Sequence, residues 1–408
     1  MEVRSLNSLN TFANMISGNL LPVTDTTTKV PTVLKIYSII TWGIELVYVV
    51  SCILGIFHVP KDRALKDSTV NIMVSLEMIV LIVYLHNCKD LLQRLIKQLN
   101  NVLGINDKML RNTVQTLESL NKPLMIYMIG SVSSVIIWMS LPLLKIFQKQ
   151  EFYNEDYQVP AALSKEPFST NVFIGGVILE LLGATYTIMK KISLDLYMMN
   201  FILLMTAEYR YLRSKLTSIL HSDYENVNTN KSIRLKNVSY KPDEMVKQEM
   251  RLLIRHHGFV VEIAVMLKKL LSPSIGILYI NYVFRFCFLS FMIVTVCFTL
   301  QHKSQCFSFS HNTFCIFQSP TLQFETFVLI VYIAGALIQL YMLCFCIQQL
   351  FEASTKVTDD AFHEEWYIYD KSLQHAVAVM TLSNKLECRL SSFRNIDLTL
   401  PSFVSVRL

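Results

Sequence analysis

The chain has 408 residues, of which 52% are hydrophobic and only 17% charged, and its mean hydropathy is +0.40. Soluble domains carry about a quarter charged residues, so this composition excludes an ordinary soluble protein and predicts a polytopic membrane protein. The formal net charge of +6 becomes informative only when the basic residues are assigned to the two sides of a membrane.

The N-terminal segment, residues 1–32, lacks the apolar core and the small-residue cleavage site of a signal peptide. The first spanning helix is therefore expected to direct membrane insertion itself. We interpret residues 1–32 as a cytoplasmic segment that precedes the membrane bundle.

Six stretches are long and apolar enough to cross a bilayer, which requires about 20 residues. Such runs must be helical, because a single segment has no other way to satisfy its backbone hydrogen bonds in lipid. The predicted fold is an all-α membrane helical bundle with spans at 33–57, 68–88, 124–147, 172–189, 274–300 and 324–347.

The basic residues orient this bundle. With the N-terminus in the cytoplasm, 26 Lys and Arg lie on the inner side and 6 on the outer side. Without the long 206–273 loop the counts are 14 and 6, so the positive-inside rule still places the N-terminus in the cytoplasm. The two glycosylation sequons, at Asn230 and Asn237, then face the cytosol and are expected to stay unmodified.

Three charged residues follow the fourth predicted span. Counted from residue 172, Lys190 and Lys191 are expected to emerge on the cytoplasmic side and to reach the lipid headgroups. Asp195 is expected just below the membrane. The apolar run after it is too short to cross back, so the same helix is predicted to continue into the cytoplasm.

Helical segments below the membrane predict a cytoplasmic layer. The 89–123 loop contains an amphipathic helix, and the 190–273 segment is predicted to be helical on both sides of a flexible polar loop at 221–244, with a break at Pro273. Residues 33–350 thus form the bundle with its helical extensions, and 351–408 a cytoplasmic C-terminal segment that leads into an incomplete last helix. The apolar side of the amphipathic helix carries Leu91, Leu92, Leu95, Ile96 and Leu99.

The sequence contains no motif of a hydrolase, a nucleotide-binding loop or a metalloprotease. We therefore expect no enzyme activity, no cofactor, no metal and no nucleic-acid partner. His256 and His257 are adjacent and are interpreted as helix-surface residues. Most of the nine cysteines lie in apolar stretches, whereas Cys306 and Cys315 share a polar loop where a disulfide bond can form.

Two acidic residues lie deep in predicted spans, Glu77 in the second and Glu180 in the fourth. At that depth an ionisable side chain faces the bundle interior or a water-filled cavity. Two interpretations remain open, a structural hydrogen bond or a ligand or ion path, and Arg285 is a candidate to neutralise one carboxylate. Ser134 and Trp138 share one face of the third span, as core packing or as a pocket wall.

Two stretches resemble the insect odorant receptor family. The run "SLDLYMMNFILLMTAEYRYLRSKL" resembles the family's fourth helix, with its aspartate, apolar run and closing Leu. The stretch "EASTKVTDDAFHEEWY" is similar to the family's Ser, Ala-aromatic and Trp-Tyr pattern, through Ser354, Ala361, Phe362, Trp366 and Tyr367. The segment before the fifth span also resembles its family counterpart, so the resemblance covers almost the whole chain.

This resemblance implies a seven-helix, odorant-gated cation channel in the plasma membrane of olfactory sensory neurons. It implies a heterotetramer with a co-receptor, embedded in the lipid bilayer. This chain would be the tuning subunit, which binds small hydrophobic odorants. Asp195, Trp366 and Tyr367 would then belong to the anchor between subunits. The ligand-binding candidates, chosen by their depth in the spans, are Met73, Glu77, Ser134, Trp138, Val177, Glu180 and Tyr332.

The C-terminus departs from the family pattern. The segment "DLTLPSFVSVRL" resembles the entry to the family's last helix, but the pore-lining half is expected to be missing. A truncated, non-conducting form is one interpretation. A G-protein-coupled receptor and a membrane transporter are the alternative functions, although the charge distribution opposes the first and no internal repeat supports the second.

Overall fold

The structure is a computed structural model, and it describes residues 8–22, 31–103, 109, 113, 120–229, 244–307, 320–363, 371, 374–375, 377–380, 391–392 and 396–397. The expected incomplete last helix and the sequons therefore lie outside the described residues.

Helices account for nearly all of the described chain, which confirms the predicted all-α class. A single antiparallel ladder of two-residue strands joins β1 (Ser391–Ser392) to β2 (Ile396–Asp397). The α-helices are α1 (Ser8–Ser17), α2 (Thr32–Ile56), α3 (Lys61–Asn87), α4 (Lys89–Leu103), α5 (Asn121–Ser140), α6 (Thr170–Thr229), α7 (Glu244–Phe307) and α8 (Pro320–His363).

Six of these helices contain segments long and apolar enough to cross a membrane, and each coincides with one predicted span. Their spanning regions are Thr32–Ile56, Arg63–Asn87, Asn121–Phe147, Thr170–Ile219, Met245–Thr295 and Ile330–Ala361. Pro142 interrupts the third span, where α5 ends at Ser140 and a 3₁₀-helix covers Leu141–Phe147.

Helix α6 is the centre of the bundle, packing against α1, α2, α3, α5, α7 and α8. It continues without a break for 60 residues, a length of about 90 Å. This confirms that the fourth span continues as one helix, and the location of its second half below the membrane stays a prediction. The helix extends to Thr229, further into the polar loop than the sequence indicated.

The predicted break at Pro273 is wrong, because α7 passes through this residue. A proline inside a helix has no N–H to donate to the carbonyl four residues earlier, here that of Lys269. The hydroxyl of Tyr84 on α3 lies 3.5 Å from the Lys269 carbonyl oxygen and 3.1 Å from that of Leu270. A neighbouring helix thus supplies the donor that Pro273 lacks, as helix-breaking residues in membrane bundles require.

The layer that the sequence predicts to be cytoplasmic, called the cytoplasmic layer below, forms where α4 and α6 pack against α7. On α4, Leu92, Leu95, Ile96 and Leu99 are buried as predicted, while Leu91 is only partly buried. The interpretation of His256 and His257 as surface residues is wrong. Both are buried, because α7 is covered on more than one side by its neighbours.

Candidate ligand-binding site and buried charge layer

The loop between α5 and α6 folds into the outer end of the bundle. Phe152 and Phe168 form an antiparallel bridge, and the Ala162 N–H donates to the Ser51 carbonyl of α2 at 3.0 Å. The aromatic ring of Phe152 stacks on Phe173 of α6 with 4.1 Å between ring centroids. The loop therefore covers the first turns of α6, and Val177 is fully buried beneath it.

A second apolar cluster lies deeper, between α2, α5 and α6. Tyr48, Cys52, Met139, Val159 and Ala184 form its buried centre, with Trp138 packed at its edge. Val159 belongs to the loop, so the loop reaches between the helices. An ideal Cβ on Gly183 would lie 2.3 Å from Tyr48 Cγ, so this close approach of α2 to α6 requires glycine.

Glu180 lies between these two clusters, one turn from Val177 and one turn from Ala184 on α6. Its side chain is fully buried. The backbone amides of Gln158 and Val159 lie close to its carboxylate, yet neither oxygen makes a hydrogen bond of good geometry. Such a group in an apolar surrounding is a candidate polar contact for a ligand.

The structure brings three of the predicted ligand-binding residues together, namely Trp138, Val177 and Glu180. Met73 is partly buried one turn above Glu77 on α3. Ser134 is exposed, and its hydroxyl donates to the Ser131 carbonyl at 2.9 Å. The sequence pattern that paired Ser134 with Trp138 was therefore too simple, because only Trp138 packs on a buried cluster.

Glu77 and Tyr332 belong to a different place, a buried layer of charged and polar side chains deeper in the bundle. Lys191 Nζ lies 2.5 Å from Glu77 Oε1 and 2.8 Å from Asp195 Oδ1. Asn281 of α7 donates to Glu77, and Gln339 of α8 donates to Asp195. This charge layer joins α3, α6, α7 and α8.

A second ion pair belongs to the same charge layer. Lys190 pairs with Glu45 of α2, whose other oxygen accepts a hydrogen bond from the Thr187 hydroxyl at 3.1 Å. The Lys190 ammonium also lies 3.6 Å from the centre of the Trp42 ring, a cation–π contact. Lys190 and Glu45 are both buried, so this ion pair links α2 to α6.

The predicted exit of Lys190 and Lys191 to the headgroups is therefore wrong. Both are fully buried, and their acidic partners Glu45 and Glu77 lie near the middle of their spans. Asp195, one turn further along α6, is buried beside Lys191, and its depth relative to the membrane stays a prediction. The depth count took no account of the buried carboxylates on α2 and α3 that pair with the two lysines.

The predicted role of Arg285 holds in part. Glu77 forms its direct ion pair with Lys191, while Arg285 interacts with Glu77 only through its charge. The Arg285 guanidinium lies 5.5 Å from the centre of the Tyr332 ring and 5.8 Å from that of Tyr282. Sequence analysis missed Glu45, Asn281 and Gln339. Glu45 could have been found, because a carboxylate in mid-span requires a cation, and two adjacent lysines were available.

The remaining predictions have different outcomes. The subunit anchor and the disulfide bond stay predictions, because Trp366, Tyr367, Cys315 and the side chain of Cys306 lie outside the described residues.

Within the described part of the chain, no three His, Cys, Asp or Glu side chains are grouped as metal ligands. His256 Nε2 is instead 3.1 Å from Glu208 Oε2 in the cytoplasmic layer.

The sequence model of the family described as 7tm odorant receptor matches residues 65–407. This chain belongs to the odorant receptor family. The odorant receptor family comprises receptors and ion channels rather than enzymes, in agreement with the predicted absence of catalytic motifs. The six spans and the family together make this odorant receptor a multi-pass membrane protein.

The odorant receptor also has the fold of two solved structures of the insect olfactory receptor OR5 from Machilis hrabei. The complex with eugenol aligns at a TM-score of 0.69 with 12% sequence identity, and the second structure at 0.72 with 13%. Each alignment covers 98% of this chain and 94% of that chain. No curated protein matches the sequence.

Proposed function

We propose that this odorant receptor is a tuning subunit that binds small hydrophobic odorants and gates a non-selective cation channel together with a co-receptor. Its location would be the plasma membrane of olfactory sensory neurons. Family membership supports a receptor of odorants, and the fold is that of OR5, a protein solved in complex with eugenol. The heteromer with a co-receptor is implied by the family resemblance.

The observation that carries the proposal is the burial of Glu180 between two apolar clusters. A hydrophobic odorant binds mainly by apolar contact, and a few polar groups fix its orientation. Val177 and Trp138 would supply apolar wall, and Glu180 the polar contact. Ligand entry requires the loop that carries Val159 to shift, because this loop fills the space between α2, α5 and α6.

Helix α6 offers a physical connection between ligand binding and gating. Glu180 and Lys190 lie ten residues apart on this helix, a distance of about 15 Å. A ligand that displaces the outer part of α6 would act on the charge layer and so on α2, α3, α7 and α8. Met73, Glu77, Ser134 and Tyr332 remain ligand-binding candidates at the edge of this region.

The test is ligand-evoked current in cells that express this odorant receptor with a co-receptor, each subunit alone being the control. We expect a cation current from the pair that neither subunit gives alone. Glu180→Gln should change the odorant concentration at half-maximal current, whereas Glu155→Gln, at an exposed loop position, should not. Strong current in cells without the co-receptor would contradict the heteromer.

The alternatives predict other signals in the same cells. A G-protein-coupled receptor would give an odorant-evoked second-messenger response without a current that follows the co-receptor. A transporter would give uptake of the ligand. A subunit that binds odorant, reaches the surface with its co-receptor and still carries no current would support a non-conducting subunit.

A further inference from the structure

A cavity of about 460 Å³ lies in the cytoplasmic layer, away from the outer ligand-binding candidates. It opens between the lower part of α6 and the lower part of α8. Basic side chains dominate the charged part of its wall. The polar residues that line it are Thr113, Arg210, Arg213, Ser214, Gln349, Glu352 and Lys356.

Arg210 is the central cation of this cavity. Its Nη2 donates to Gln349 Oε1 at 2.5 Å, and no carboxylate among the described residues lies within ion-pair distance of it. A guanidinium carries five N–H donors, so this single hydrogen bond leaves most of its donor capacity unused. Arg210 interacts with the charge of Glu352 but forms no direct ion pair with it, and a partly buried guanidinium with unused donors favours an anionic ligand.

Two further cations extend the basic surface. Arg213 Nε lies 2.5 Å from Asp360 Oδ2, which leaves its two terminal amino groups for another acceptor. Lys356 is exposed on α8, one turn beyond Glu352. Glu352, the only acidic residue of the wall among the described residues, accepts a hydrogen bond from Gln348 at 2.9 Å.

The depth of the cavity indicates where the anion comes from. Arg210 lies 19 residues beyond Lys191 on the uninterrupted α6, about 28 Å along the helix axis. Lys356 lies 17 residues beyond Gln339 on α8, about 26 Å. The charge layer, from which both distances are counted, lies near the middle of the spans. Half of a hydrocarbon core is about 15 Å and the headgroup region adds about 5–8 Å. Both cations therefore lie at or beyond the headgroups and face the aqueous phase.

We propose that this cavity binds a compact phosphate-bearing anion from the cytoplasm. The guanidinium groups of Arg210 and Arg213 match the geometry of phosphate oxygens, and Lys356 contributes a mobile point charge. Such a ligand would bridge α6 and α8 at the height of the cytoplasmic layer. The proposal is independent of the odorant site and of channel activity.

The test measures binding of inorganic pyrophosphate to the full chain, purified alone or with its co-receptor, in nanodiscs of phosphatidylcholine at fixed ionic strength. Titration calorimetry and the shift of the thermal midpoint report the binding. A second arm omits pyrophosphate and compares nanodiscs with and without phosphatidylinositol bisphosphate. The variants are Arg210→Gln and Lys356→Gln, and the control is Arg251→Gln, an exposed residue of α7, which contributes no residue to the cavity.

We expect saturable pyrophosphate binding that each variant weakens by about tenfold or more, because each removes a charge-assisted contact, while Arg251→Gln leaves it unchanged. Stabilisation only by the phosphoinositide, lost in the same variants, supports the site with a lipid headgroup as the source. Equal binding by all four proteins, or no saturable binding in either arm, overturns the proposal. Lys356 is exposed, so Lys356→Gln should fold even if Arg210→Gln does not.

Discussion

Lys191 on α6 bridges Glu77 on α3 and Asp195 one turn further along its own helix, with its ammonium nitrogen 2.5 Å and 2.8 Å from their carboxylate oxygens. One cation therefore compensates two carboxylates in a place where all three side chains are buried. Asn281 and Gln339 satisfy the remaining oxygens from α7 and α8. Removal of the cation would leave two negative charges in a low-dielectric interior.

Lys191→Met is expected to destabilise the receptor by about 3–5 kcal/mol, the usual cost of breaking a buried ion pair from one side. Thermal unfolding of the purified full chain measures the change. Lys89→Met, at an exposed position of α4, is the matched control and should cost little. Adding Glu77→Gln to Lys191→Met should restore part of the loss, because one unpaired carboxylate is then neutral. A melting midpoint for Lys191→Met equal to that of Lys89→Met would contradict the buried bridge.

Two adjacent glycines on α6, Gly175 and Gly176, provide a test of how the outer loop packs against this helix. A Cβ on Gly176 would lie 2.0 Å from the Tyr157 hydroxyl oxygen, whereas a Cβ on Gly175 would meet no atom within 4 Å. Gly176→Ala should therefore displace the loop and cost about 1–3 kcal/mol by overpacking. Gly175→Ala should be neutral or stabilise the helix by up to about 1 kcal/mol. Limited proteolysis of the loop and thermal unfolding distinguish the two variants, and equal behaviour would argue against this contact.

The hydroxyl of Tyr84 is expected to stabilise α7 at Pro273. Tyr84→Phe removes the donor to the Leu270 and Lys269 carbonyls and should cost about 1 kcal/mol. Pro273→Ala restores an N–H for the Lys269 carbonyl, so Tyr84→Phe should cost less in that background. A double-mutant cycle on the thermal unfolding free energy measures the coupling. Strict additivity of the two changes would mean that Tyr84 does not compensate for the proline.

Asp156 in the outer loop is expected to make stability depend on external pH. Burial opposes its ionisation, but hydrogen bonds from Lys149 and the Tyr153 N–H, with the charge of Lys145, hold the pKa of its carboxyl below the ordinary value. Lys149 Nζ lies 2.8 Å from Oδ1, and the Tyr153 amide nitrogen 3.1 Å from Oδ2. A group with a depressed folded-state pKa stabilises the protein above its unfolded pKa, about 3.9 for Asp. That stability is lost as the pH falls through the folded-state value.

Asp156→Asn should accordingly lower the stability by about 1.5 kcal/mol at neutral pH, the low end for hydrogen bonds to a charged group because Lys149 is half exposed. The difference from wild type should stay constant down to about pH 4 and shrink below it. Thermal midpoints across this range measure the effect, with Glu155→Gln at the exposed neighbouring position as the control. A difference that grows on acidification would contradict the assignment.

The spans were predictable because a bilayer imposes a length and an apolar composition on each one, and both can be read along the sequence. The continuation of α6 below the membrane was predictable for the same reason, since the run after Lys191 is too short to cross back. The amphipathic α4 was predictable because Leu92, Leu95, Ile96 and Leu99 follow a helical period.

Contacts between distant parts of the chain were not predictable in this way. Lys190 pairs with Glu45, which lies 145 residues away in the sequence, and no local sequence pattern indicates that pairing. The position of the outer loop was equally hidden, because its hydrogen bond from Ala162 to Ser51 of α2 joins residues far apart in the sequence. The helix through Pro273 depends on Tyr84 of another helix, so the local rule for proline gave the wrong result.

The unbroken α6 has a mechanical consequence. The paired lysines divide this 60-residue rod into an outer arm of about 30 Å and an inner arm of about 57 Å. If the charge layer acts as the fulcrum, a tilt that moves the outer end by about 1 Å moves the inner end by about 2 Å in the opposite direction. A small displacement of the end of α6 under the outer loop would then produce a larger displacement of its cytoplasmic end.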